Sequence, residues 1–524
     1  MIVSTNHEFN LSPRKNTTNF HGKHFYSNIF SSQNLLKQVK NNIMRCEVRN
    51  WMIRKANAHY FCVTLHAFSQ NLSNMLFKHT FDQIPALHFV YEHLQLTSSL
   101  GRHLLLDLPF CTEPNELQQE FDLLEKTIDL VGQDANRTKL QHIRNHLHQI
   151  NDIRPTLEAL RSGNVILDDI QLFEIKKTAI LTRQIAQDLT AIRCRLFPLQ
   201  NMDSVVALLD PEHTNIPHFY IYAAYDPELA KWRERIQNAQ NVQEAEEFRF
   251  QAQKVEDTVR EHLTAQLRSS ADAIAQNLDT LAHFDLLLAK ARLAMEWHLC
   301  RPNIADYTEL NGLYNPEVAA ALSEKGRTFQ PVDIRFHRET ILVTGANMAG
   351  KSVLLKTVAL AQYLFQFGFY VPAAQATLSV VDEIISSIGD KQSEISGLSS
   401  FAVEILTIDK IIKQGRAGSK VLALVDELAR TTNPEEGKRL VGNFIRLTQK
   451  LGITALVTTH YSGIDANCRR LRVKGLQLHE NQALTVGNIS DYMDYSLVET
   501  DADEVPMEAF AIAKLFGVDD ELTK

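Results

Sequence analysis

Apolar residues between Pro114 and Leu199 recur three and four positions apart, as in Leu117, Phe121, Leu124, Ile128 and Leu130. That period places them on one face of a helix. It predicts helices over 116–131, 138–150, 156–161 and 168–189, inside a helical core spanning residues 75–227. The texture then shortens, and 205–209 and 219–222 read as short strands or an irregular connection. From Glu228 to Arg301 there follow 74 residues without Gly or Pro. One straight helix of that length would reach ~110 Å at 1.5 Å per residue. Two long helices or a bent lever over 228–301 are therefore expected, either a structural hairpin or an arm that transmits motion. Residues 302–340 return to mixed texture with turn signals at Asn311-Gly312, Asn315-Pro316, Gly326 and Pro331, so an α/β domain is expected over 302–524.

Three later apolar runs, at 341–343, 420–425 and 453–457, are continuous rather than alternating, as in strands buried on both faces. Helices are expected at 353–367 and 401–412. The first run leads into Gly345-Ala346-Asn347-Met348-Ala349-Gly350-Lys351-Ser352. This is the G-x-x-x-x-G-K-[ST] pattern, whose backbone N–H groups face a nucleotide's phosphates at a helix N-terminus. The alternative is a glycine turn with no ligand.

A phosphate loop alone binds; hydrolysis also needs a magnesium ligand and a group that positions water. The second run ends in Asp426-Glu427. Asp426 can hold Mg²⁺ together with the Ser352 hydroxyl, and Glu427 can orient or deprotonate the attacking water. The third run ends in Thr458-Thr459-His460-Tyr461, placing His460 towards the γ-phosphate. Ligands of open α/β sheets bind at the carboxyl ends of strands, so three polar groups capping such ends reinforce one another. The polar stretch 389–401 enters the helix at 401 either as a second anion-seeking N-terminus or as a cap after a surface loop.

Composition narrows the class. Hydrophobic residues make up 44% and charged residues 22%, the balance of a globular chain. No apolar stretch approaches the ~18 residues of a membrane span, and residues 1–12 lack a secretory signal. Six scattered cysteines with no C-x-x-C pair point away from disulfides and thiolate zinc and towards the cytoplasm. His142, His146 and His148 lack a Cys or carboxylate at ligand spacing and read as a polar helix face. Residues 1–74 hold nine Lys or Arg against two Glu, leaving 45 basic and 60 acidic side chains in 75–524. That first stretch shows no sustained period. It reads as a poorly ordered extension, a targeting peptide or sequence ahead of a true start at Met75, and otherwise as a basic arm. The acidic remainder excludes a broad basic surface for DNA, though not a local groove.

Thr344 to Ser352, Ser399-Ser400-Phe401 with Glu404, Val425-Asp426-Glu427-Leu428 and Thr458 to Tyr461 together resemble the four ATPase motifs of the MutS family, in order and at family-like spacing. The resemblance is strong over 335–520 and weaker over 75–300. It implies an ABC-type ATPase working as a homodimer or heterodimer with two composite sites, with ATP and Mg²⁺ as ligands. By this resemblance Gly345 to Ser352 bind ATP, with Asn347 beside the γ-phosphate. Ser352 and Asp426 hold Mg²⁺, and Lys351, Glu427 and His460 serve hydrolysis. Ser399 would act in trans on the other subunit's γ-phosphate, and 508–518 resembles the tail by which MutS dimers clasp.

The chain departs from the family in three respects. Leu428-Ala429-Arg430 stands where a glycine-containing turn is usual. No Phe-x-Glu element occurs among the 26 Phe, so a mismatch-reading module is not expected. Residues 389–393 and 433–437 are closer to the branch that ends in an Smr nuclease domain, yet no such domain is read before Lys524. The expected function is an ATPase acting on branched or damaged DNA. The alternative is a remodelling factor for a partner enzyme, similar to the ATPase proposed to reactivate cobalamin-dependent lysine aminomutase; a nucleotide-sensing scaffold is disfavoured by Glu427.

Overall fold

A computed structural model describes residues 76–81, 84–214, 219–345, 349–389, 400–430, 432–477, 492–500, 518 and 521. The expectations for 1–74, for Ala346, Asn347, Met348 and Ser399, and for nearly all of 508–518 lie outside the described residues.

Among the described residues, helices dominate from 85 to 296: α1 (Pro85–His93), α2 (Ser99–Leu106), α3 (Pro114–Gly132), α4 (Arg137–Gln149), α5 (Arg154–Ser162), α6 (Asp169–Ala191), α7 (Asp203–Leu209), α8 (Pro227–Gln237), α9 (Val242–Leu267) and α10 (Ala271–Glu296). Local signals set their ends. Pro114 opens α3 at a position where the missing N–H costs nothing, and Asp168 with Gln171 forms a capping box before α6. The stripe expected on α3 is buried at Leu117, Phe121, Leu124 and Leu130.

Two expectations need correction. Residues 205–209 form α7, not a strand: Val205, Val206 and Leu209 are buried, the face a single helical turn presents. The stretch 219–222 forms no strand either. The two long helices expected over 228–301 are present as α9 and α10, 26 residues each and parted by a 3-10 turn at Arg268–Ser270; the shorter α8 precedes them and ends before residues 238–241. Asn241 caps α9 by accepting from the Glu244 N–H, a stop and restart that needs neither Gly nor Pro. Helix α8 packs back along α9, and α10 packs against α2 and α3.

After Pro302 the chain builds two sheets. Strands β1 (Asn303–Ala305), β2 (Thr308–Leu313), β3 (Val332–Phe336) and β5 (Gln375–Ser379) form a mixed sheet in the order β1-β5-β2-β3, with α11 (Pro316–Ser323) between β2 and β3. Strands β4 (Thr340–Thr344), β6 (Glu383–Ser387), β7 (Val421–Val425), β8 (Thr454–Thr458), β9 (Arg469–Leu476) and β10 (Met493–Glu499) form the second, in the order β10-β9-β4-β8-β7-β6. It is parallel except for β10. Helices α12 (Lys351–Gln366), α13 (Ser400–Arg416) and α14 (Pro434–Leu451) follow β4, precede β7 and precede β8. Strands β4 and β7 are buried at every position, as their unbroken apolar runs require. One face joins a core shared with α12 and the helical region, and the other faces α13 and α14.

The register aligns Val343 with Thr458 and Val425 with Val457, so the carboxyl ends of β4, β8 and β7 share one edge. Strand β4 lies between β8 and β9, where the strand order reverses. Such a switch point opens a crevice at the strand ends.

Candidate functional site

The loop after β4 begins at that crevice. Gly350, with φ +76°, is the left-handed residue that turns the chain into α12. A Cβ added there would also sit 3.1 Å from the Tyr495 ring, so both backbone and space ask for glycine. The next residue, Lys351, is buried and donates from Nζ to the Gly345 carbonyl at 2.8 Å. It also lies 3.8 Å from Glu427 Oε1. The lysine is thus folded across its own loop.

Ser352 Oγ donates to Asp426 Oδ2 at 2.5 Å, and Thr458 Oγ1 donates to Asp426 Oδ1 at 2.6 Å. Thr458 Oγ1 in turn accepts from the Glu427 N–H at 2.9 Å. One threonine at the end of β8 therefore fixes both carboxylate residues at the end of β7. No sequence pattern marks Thr458 for this role.

Beyond Glu427 the chain makes a tight turn. Glu427 and Ala429 have φ of +48° and +64°, the left-handed region in which a non-glycine residue costs roughly 1–2 kcal/mol. This is where the chain departs from the family's glycine-containing turn, and the backbone keeps a glycine-like conformation without the glycine. Neighbours hold it: the Ala429 N–H donates to Glu404 Oε1 at 3.0 Å, and Tyr461 donates from its hydroxyl to the Ala429 carbonyl at 2.7 Å. Burial raises the Glu404 pKa above the usual carboxylate range, against the Ala429 hydrogen bond and the Arg430 charge. The Tyr461 hydroxyl also meets α14 so closely that a Cβ on Gly437 would lie 2.5 Å from it.

An open cavity of about 530 Å³ is lined by Ala349, Gly350, Lys351, Ser352, Val353, Glu427, Arg430 and His460. His460 rests against the Tyr461 ring with centroids 4.3 Å apart. Arg430, which sequence reading treated only as a departure, reaches within 3.6 Å of Glu427 Oε2. The cavity therefore combines a helix N-terminus and two cations, which suit polyanionic phosphates. Its hydroxyl and carboxylate pair is the donor set suited to Mg²⁺, which takes one or two protein ligands beside substrate phosphates. Lys351, Ser352, Asp426, Glu427 and His460 are brought together here.

His142, His146 and His148 lie on α4, the first and last exposed. Among the described residues no group of three or more His, Cys, Asp or Glu is arranged to hold a metal ion. No helix among them is long and apolar enough to cross a membrane.

A lysine, a serine and a carboxylate pair at the strand ends of a mostly parallel sheet define an α/β protein whose cavity suits phosphates. Comparison with known proteins narrows the class. Residues 341–502 match the family MutS domain V, an ATPase domain. The chain is 31% identical over 249 residues to "Endonuclease MutS2" of Caldanaerobacter subterraneus subsp. tengcongensis, covering 47% of this chain and 30% of that protein. It is 33% identical over 201 residues to "Endonuclease MutS2" of Thermus thermophilus, covering 37% and 25%. It is 34% identical over 224 residues to "DNA mismatch repair protein MutS" of Brevibacillus brevis, covering 39% and 26%. The chain thus spans under a third of the length of these relatives, and the matches support MutS-family membership.

Proposed function

We propose that the protein is a MutS-type ATPase that binds ATP and Mg²⁺ in the cavity at the ends of β4, β7 and β8 and hydrolyses the γ-phosphate bond to drive motion on DNA. What carries this reading is the convergence of Lys351, Ser352, Asp426 and Glu427 from two strand ends, those of β4 and β7, in residues up to 76 apart in sequence.

In this reading Lys351 leaves the Gly345 carbonyl for the β- and γ-phosphates, whose charge outcompetes a neutral acceptor. Ser352 and Asp426 would hold Mg²⁺, which when bound would supply charge neutralisation at the phosphates. Glu427 then loses its Lys351 neighbour and is free to orient water and accept its proton. Thr458 holds Asp426 and the Glu427 backbone in place, and His460 is assigned to the γ-phosphate. By the family resemblance Ala346, Asn347 and Met348 are assigned to ATP, and Ser399 of a second copy to the same γ-phosphate, so the working unit is a dimer.

DNA as the substrate of the motion is proposed from the relatives' names and the family match. The test is phosphate release by the full chain with Mg²⁺, alone and with duplex, branched or single-stranded DNA, at rising salt. Turnover lost in Lys351→Ala supports the ATPase reading. Stimulation by DNA that falls steeply with salt supports the DNA reading, and equal rates with and without every DNA would count against it while leaving the ATPase intact.

A further inference from the structure

Helix α12 has the cavity at one end; its other end is built into the helical region. Thirteen of its sixteen residues, Lys351 among them, are buried. Sixteen residues span ~24 Å. At the far end the carbonyls of Phe367 and Gly368 both accept from Lys290 Nζ of α10, each at 3.1 Å. Lys290 also donates to Glu120 Oε1 of α3 at 2.9 Å, and Glu120 Oε2 lies 3.0 Å from His283 Nε2 of α10. Lys290 is 1% exposed and Glu120 5%. Burial opposes ionisation of Glu120, but the charges and hydrogen bonds of Lys290 and His283 outweigh it and hold the carboxyl down to about 2.

This is more than a salt bridge between two helices. Phe367 caps α12 and Gly368 follows it, so a cation on their carbonyls satisfies acceptors at the helix end and complements the negative end of its dipole. Here the cation belongs to α10, the helix joined through the Arg268–Ser270 turn to α9. The fit is close: Gly368 has φ +71°, and a Cβ on it would lie 2.7 Å from Glu120 Cγ. Beside it Gln366 donates from Nε2 to the Cys111 carbonyl at 2.9 Å and to the Val381 carbonyl at 2.8 Å. These contacts oppose a displacement of α12 along its axis, and packed interiors shift between discrete arrangements rather than deform continuously.

We propose that Lys290, held by Glu120, is a positioning residue for the nucleotide site: it locks the C-terminal end of α12 to α10, so that occupancy at Lys351 and Ser352 is registered in α10 and, reciprocally, load on α10 alters the nucleotide site. The proposal rests on the ATPase reading. A purely structural pair would stabilise the fold but leave the response of α10 to nucleotide unchanged.

The test is amide hydrogen exchange of residues 271–296 in the full chain, with and without a non-hydrolysable ATP analogue and Mg²⁺. It compares the natural sequence with the double variant Glu120→Gln/Lys290→Met, which leaves no lone buried charge. In the natural chain the analogue should change exchange in α10 by about tenfold, the shift that ~1.4 kcal/mol of coupling produces. The double variant should bind the analogue within about threefold of the natural affinity, lose the α10 response and show a lower kcat at similar KM. A full α10 response in the folded double variant, or none in a natural chain that binds the analogue, overturns the proposal alone. Failure of the natural chain to bind the analogue at all overturns the ATPase reading and the proposal together. Should the double variant not fold, Glu120→Gln alone, which keeps an amide oxygen for Lys290, should reduce the response, and an undiminished one overturns the proposal.

Discussion

Ser352 and Asp426 are joined by a 2.5 Å hydrogen bond from the serine hydroxyl to Oδ2, so the first turn of α12 and the end of β7 already share a proton where Mg²⁺ is expected. Replacing Ser352 with Ala removes one side of that pair and leaves Asp426 held by Thr458 alone. The Mg²⁺ concentration for half-maximal turnover should rise by on the order of tenfold, as loss of a hydrogen bond to a charged group costs about 1.5–3 kcal/mol. A magnesium titration of phosphate release measures it.

Glu427→Gln keeps the size and the turn but removes the base. Nucleotide binding, read by a fluorescent ATP analogue, should stay within a few-fold, whereas turnover should fall by roughly 10²- to 10⁴-fold. Equal losses in both would mean that Glu427 acts chiefly by holding Lys351 and Arg430.

Gly437 and Tyr461 form a close contact between α14 and the end of β8. Gly437→Ala would place a methyl 2.5 Å from the tyrosine hydroxyl, pushing it off the Ala429 carbonyl, and should destabilise by about 1–3 kcal/mol. Tyr461→Phe, which loses the hydrogen bond but not the packing, should cost about 1 kcal/mol. Urea unfolding of both variants separates the clash from the bond.

Ala429 offers the opposite test. Its φ of +64° suits glycine, so Ala429→Gly should be neutral to stabilising by up to about 1 kcal/mol. If the strained turn sets the Glu427 geometry, kcat should change while stability hardly moves.

Acid stability should show the Glu120 cluster. Its pKa is lowered from an ordinary 4.5 to about 2, so the stability it contributes is complete above pH 4.5 and is lost as the pH falls through 2. Tryptophan fluorescence across that window should show steeper acid unfolding in the natural chain than in Glu120→Gln/Lys290→Met.

Much of the candidate site was legible because its parts are contiguous: the loop, Asp426-Glu427 and Thr458 to His460 each follow an unbroken apolar run, and each run became a strand buried on both faces. The run at 205–209 was misread for a related reason. Five apolar residues fit a strand or one helical turn equally well, and burial of Val205, Val206 and Leu209 against the helical core decided it. Helices α1 and α2 fall inside the expected helical core without a bound of their own in the pattern, and the mixed sheet inside the expected α/β domain likewise; β2, with the sequence Thr-Glu-Leu-Asn-Gly-Leu, carries little strand propensity and is held by its neighbours β3 and β5. The Lys290–Glu120 pair was illegible because its partners are 170 residues apart, and no local pattern announces a contact of that separation.

The wiring of α12 also bears on where the chain can be cut. The change of texture at Pro302 invites expression of 302–524 as a separate fragment. Yet Phe365 stacks on Phe121, Phe367 meets Phe77 and Phe110, and Gln366 exchanges backbone and side-chain bonds with Cys111, 255 residues earlier. Severed there, the fragment would present a contiguous aromatic face to water and should aggregate. The helix that begins at Lys351 is property held in common by both halves, and neither is a free-standing part.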